Sequence, residues 1–146
     1  MAYEKLRRAV DAGLFDPELC DIVPPPSQAD VAAAEAAGFA FSPEHRALLL
    51  AWGGSDLHEI VVYAPQRVRQ VEDMTEFAAD YSGSVFFYDE AGHVHAEDAQ
   101  SGELLYLAAS LPEFIDDFLL GTKGEDFYGE DWVRELKALG LAGPAH

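Results

Sequence analysis

"FYDEAGHVHAED", residues 87–98, is the stretch on which the architecture turns. Asp89-Glu90-Ala91-Gly92 has Asp at the first and Gly at the last position of a β-turn, the type I preference, and Gly92 also tolerates positive φ. The aromatic run "SVFFYD" precedes this turn and "HVHAED" follows it. Successive strand side chains point to opposite faces, so His93 and His95 share one face while Val94 and Ala96 share the other. The stretch therefore reads as a β-hairpin with Asp89 and Gly92 as turn formers.

Outward from the hairpin, "ELLYLAA" follows as a third strand and "HEIVVYA", β-branched and aromatic, reads as an earlier one. Between residues 65 and 81, "PQRVRQVEDMTEFAADY" fits a helix with Val68, Val71, Thr75 and Ala78 on one side. Further upstream, Tyr3, Leu6, Val10 and Leu14 have helical spacing, and "FDPELCDIVPPP" closes in three prolines that cannot continue a helix. Ser27 is a good N-cap for "QADVAAAEAAG", which Gly38 can terminate.

Ser42-Pro43 opens the helix "PEHRALLLAW", with Leu48, Leu49 and Trp52 inward; Gly53 or Gly54 ends it in the left-handed conformation. Trp52 is expected to anchor the core. Ser110 and Glu113 have capping-box spacing ahead of a helix with Leu111, Phe114, Ile115, Phe118 and Leu119 inward. A last helix carries Trp132, Val133, Leu136 and Leu139. The expected class is α+β: an antiparallel sheet of hairpin-linked strands flanked by helices. The 146 residues suit one domain: an N-terminal helical extension over 1–22, a core over 24–121 and a C-terminal helix over 122–146.

Charge separates function classes. Nine basic residues stand against 27 acidic ones, for a net charge of −18, and no Lys or Arg occurs from Gln70 to Thr122. Such a field repels nucleic acid and anionic membranes and attracts basic proteins. Neither a signal peptide nor a transmembrane run is recognisable, so the expected location is the cytoplasm. Cys20 has no second thiol for an internal disulfide and reads as a small semi-buried apolar side chain.

No catalytic motif is found: no nucleophile elbow, H-E-x-x-H zinc motif, P-loop or glycine-rich dinucleotide turn. His93 and His95 can reach one zinc ion, but zinc sites usually take three or four protein ligands, and His45, His58 and His146 lack ligand spacing to the pair. Neither metal nor cofactor is expected, and a metal-dependent enzyme built on the His93/His95 face is the least favoured class. On the helix after Pro65, Glu72, Glu76 and Asp80 fall at i, i+4 and i+8, and Asp73 broadens the stripe. Like charges stacked without a nearby cation suit a surface for a basic partner, joined by Glu90 at the hairpin turn.

The order of pieces resembles the SUKH superfamily, which groups bacterial immunity proteins with a yeast regulator of cell-wall synthesis. The resemblance runs over about residues 24–121: "DVAAAEAAGFAFS", "PEHRALLLAWGG", a strand, "FFYDEAGHVHAED", "ELLYLAAS" and "LPEFIDDFLLG". Pro43, Glu44, Arg46, Gly53, Gly54, Tyr88, Asp89 and Gly92 sit at the matching places, while Trp52 stands where the family often has a polar residue. The resemblance implies a non-catalytic protein that neutralises a cognate bacterial toxin, often a nuclease or deaminase, by direct binding. The alternative it leaves is an interaction scaffold or regulatory module without a toxin partner.

Overall fold

The structure, a computed structural model, describes residues 3–15, 28–38, 41–57, 60–121 and 129–141. Ser27, Cys20, His58, His146 and the three-proline stretch lie outside the described residues. Three helices come first: α1 (Glu4–Asp11), α2 (Gln28–Ala36) and α3 (Pro43–Trp52). Seven strands follow: β1 (Asp56–Leu57), β2 (Ile60–Val62), β3 (Arg69–Val71), β4 (Met74–Asp80), β5 (Val85–Tyr88), β6 (Val94–Glu97) and β7 (Leu104–Ala108). The chain then forms α4, whose first turn is Leu111–Glu113 and whose remainder, Phe114–Leu119, is π-helical, and finally α5 (Glu130–Ala138). The class is α+β, with an antiparallel sheet flanked by helices.

The sheet order is β1-β2-β4-β5-β6-β7, with β3 also paired to β4. β2 pairs with Ala78–Asp80 and β3 with Met74–Glu76, so the two lie end to end along one side of β4. Pro65 causes the break between them: it has no amide hydrogen for a ladder, and the chain makes a 3-10 turn over Pro65–Arg67 before resuming as a strand.

The helix expected over residues 65–81 is therefore corrected to a 3-10 turn, β3, a two-residue turn at Glu72-Asp73, and β4. A helix with Val68, Val71, Thr75 and Ala78 inward would have turned Phe77 toward its acidic side. In β4 Phe77 is fully buried, and a register shift between Glu76 and Ala78 lets Phe77 and Ala78 both join the core. With this correction the stripe of Glu72, Glu76 and Asp80 on one helix face does not exist.

The main core lies between the sheet and α1, α3, α4 and α5. Phe114 is its centre, with ring centroids 5.9 Å from Phe77, 5.5 Å from Phe86 and 5.3 Å from Phe118. Leu6 from α1 and Trp132 and Leu136 from α5 belong to the same cluster, so the two terminal helices share this core. The Trp132 indole donates to the Leu119 carbonyl (2.8 Å), satisfying its polar edge inside the core. Trp52 is buried and meets Tyr3 edge-on (centroids 6.5 Å apart), and Gly54, φ 88, makes the turn out of α3. A smaller cluster of Val31, Leu49, Tyr63 and Val68 packs α2 and α3 against the strand break at Pro65.

An acid-lined concavity at one end of the sheet

Tyr88 pairs with Thr75 across β4 and β5, which brings the β3–β4 turn and the β5–β6 turn to the same end of the sheet. The start of α3 is pinned there as well. Ser42 caps α3 by accepting from the His45 amide (3.1 Å), and its own amide donates to the Tyr88 hydroxyl (3.3 Å). That hydroxyl also lies 2.7 Å from Nδ1 of the fully buried His45. Phe41, Phe77 and Tyr88 surround the imidazole edge-on, and burial lowers its pKa from 6.5 to about 3, so it stays neutral at ordinary pH.

The three segments enclose a concavity of about 590 Å³. Glu44 reaches it from α3, Glu72 and Asp73 from the β3–β4 turn, and Asp89 and Glu90 from the β5–β6 turn. Phe41 and Tyr88 supply apolar wall, and among the described residues neither Lys nor Arg lines it. Glu72 holds φ 59, a left-handed conformation that bulky L side chains rarely adopt. It is forced by a turn of only two residues between the Val71–Met74 pair.

Asp89 closes its own turn. Its Oδ1 accepts from the amides of Ala91 and His93, both at 3.0 Å, and the Gly92 amide donates to its carbonyl, with Gly92 at φ 87. Its Oδ2 meets Nε2 of His95 at 3.0 Å. Burial pushes this carboxyl up, but the His95 ring, the two amides and the nearby His93 ring together hold it below the usual carboxylate range. His93 and His95 each meet the Tyr106 ring edge-on, at 5.9 and 5.7 Å. His93 Nδ1 lies 3.9 Å from the same Asp89 oxygen, Oδ2, and no metal-holding group of three His, Cys, Asp or Glu occurs among the described residues.

Of the residues singled out in the sequence for a basic partner, Glu72, Asp73 and Glu90 meet at this concavity. Glu76 and Asp80 are elsewhere. Glu76 is buried, accepts from the Tyr63 hydroxyl (2.5 Å) and lies 3.9 Å from Arg69. Asp80 is at the far end of β4, roughly 20 Å away at strand rise. There its Oδ1 accepts from the amides of Ser82 and Ser84 and holds the β4–β5 turn. In the sequence Glu44 is marked only by the family resemblance, and Asp89 by that resemblance and as a turn former. Tyr88 is marked only by the family resemblance, and its contact with His45 has no local signal because the pair spans 43 positions.

Chemically, an acidic concavity of this kind suits a cation. Five acidic residues line the concave wall, Asp89 with its carboxylate already held by its own turn and His95, and their negative potential suits Lys or Arg side chains of a partner. Searches against family models, curated proteins and solved structures return no match.

Proposed function

We propose that the chain is a SUKH-like, non-catalytic immunity protein. In this reading it neutralises a cognate basic bacterial toxin, of the nuclease or deaminase class, by direct binding. The observation that carries the reading is the concavity: three segments distant in sequence deliver Glu44, Glu72, Asp73, Asp89 and Glu90 to one wall, with no Lys or Arg among its described lining residues. A net charge of −18 extends this field outward and favours fast, steered association with a basic surface. The order of sequence motifs supports the family, and the charge supports the sign of the partner. No described helix is long and apolar enough to cross a membrane.

Capture from the native host tests the reading, with the wild type and the Glu72→Gln/Asp73→Asn/Glu90→Gln variant as baits. The expected result is a basic toxin retained by the wild type, with association slowed roughly tenfold or more in the variant and a flatter salt dependence. A retained partner without toxic activity would replace this reading with the scaffold. Equal rates for both baits across a salt series would remove the concavity from the interface.

A further inference from the structure

The sheet ends in β7, Leu104–Ala108, and among the described residues no strand pairs with its outer side. Unpaired edges offer a row of amide and carbonyl groups, and proteins usually guard them with charges, proline or very short strands. The opposite edge obeys this rule, since β1 has two residues. β7 has five, with the sequence LLYLA, and carries neither a charge nor a proline. Its large apolar side chains are incompletely covered: Leu104 is 50% and Tyr106 60% exposed, and Leu105 and Leu107 are half-buried.

Carboxylates bracket this uncharged strand. Glu103 is exposed immediately before it. At the other end the Glu113 carboxylate comes back to accept from the amide of Ala109. A second copy fits badly. Antiparallel self-pairing centred on Tyr106 sets Glu103 opposite Ala109 of the other chain, where that chain's Glu113 carboxylate sits, so like charges meet at both ends. An extended segment with an apolar centre and a cation at each end meets the opposite charge at both ends instead.

We infer that the outer edge of β7 is a strand-addition site for an extended basic segment of a partner protein. Main-chain hydrogen bonds supply the attachment, Leu104 and Tyr106 the apolar contact, and Glu103 and Glu113 the selection for cationic ends. The inference goes beyond the concavity and does not require the partner to be a toxin.

The test uses the full-length 15N-labelled protein and a synthetic capped heptapeptide, Lys-Thr-Val-Tyr-Val-Thr-Lys, with no toxin present. Amide shifts and slowed hydrogen exchange over residues 103–109 are expected. Binding should weaken at least roughly tenfold when Glu replaces both peptide lysines, because like charges then face each other at both ends. The Leu104→Lys/Tyr106→Lys variant, altered at two exposed positions, should stay folded and lose binding by a similar factor. Leu104→Pro, which removes an amide on the outer side of the edge strand because the ladder bonds to β6 fall on Glu103 and Leu105, should lose it too. Shifts confined to residues 72, 73 and 90, or abolished by the concavity variant, would overturn the edge assignment and leave the concavity reading standing. So would the absence of any shift. Wild-type dimerisation that the double-lysine variant abolishes would overturn it as well, by assigning the edge to a second copy.

Discussion

The Tyr63 hydroxyl donates to the Glu76 carboxylate across 2.5 Å on the sheet surface that α2 and the 3-10 turn cover. This bond explains how an acid can be buried in the middle of β4. Arg69, 3.9 Å from the other carboxylate oxygen, and the Arg67 guanidinium, 5.3 Å above the Tyr63 ring, surround the pair with positive charge. Burial, followed by the bond to Glu76, raises the Tyr63 pKa, so the phenol remains a donor throughout the ordinary pH range.

Tyr63→Phe removes the donor and leaves the buried carboxylate short of a partner, which costs about 1–3 kcal/mol. Glu76→Gln in the same background should recover part of that loss, since a neutral amide is cheaper to bury. Urea denaturation of the three proteins checks both, and an undiminished midpoint for Tyr63→Phe would assign the support of Glu76 to the arginines instead.

His45 gives the fold an acid sensitivity of defined sign. Its pKa falls from 6.5 in the unfolded chain to about 3 in the folded one because burial disfavours the imidazolium. Below pH 6.5 the unfolded chain binds a proton that the native protein does not. Stability is therefore fully present above 6.5 and is lost as pH falls toward the folded value, by at most about 1.4 kcal/mol per pH unit from this group. A His45→Gln variant keeps a polar partner for Tyr88 without titrating. Between pH 6 and 4 its stability should fall less steeply than that of the wild type. Parallel curves would show that His45 does not set the acid limit.

Glu72 separates folding from binding. Its φ of 59 costs an L residue about 1 kcal/mol, which glycine avoids, although glycine gives up some of that gain in chain entropy. Glu72→Gly should leave stability unchanged or raise it by up to about 1 kcal/mol. If the concavity binds a basic partner, the same change should slow association, because one of its five carboxylates is gone. Thermal denaturation and stopped-flow association check the two halves separately. A clear drop in stability would mean that the Glu72 side chain holds the turn.

The sequence by itself determined the pieces whose signals are local. Ser42-Pro43 starts α3 because cap and first-turn chemistry involve residues three apart, and the His45 amide indeed donates to the Ser42 hydroxyl. The Asp89–Gly92 turn needs only its own side chain and one glycine, and the α+β class follows from a hairpin between apolar runs. Ser110 likewise caps α4, accepting from the Glu113 amide at 3.1 Å.

Tertiary structure decided residues 65–81, where local spacing fitted a helix. The backbone of β4 finds ladder partners in β2, β3 and β5, and Phe77 finds the core beside Phe114. Glu76 finds the hydroxyl of Tyr63, thirteen positions away. A window of sequence counts none of these gains, because each depends on groups that only folding brings near. The candidate site divides in the same way. Glu72, Asp73 and Glu90 were legible as acids far from any cation, but the helix assigned to the first two was wrong. The wall they share with Glu44 and Asp89 exists because Tyr88 pairs with Thr75 and holds Ser42 and His45 at the same end of the sheet.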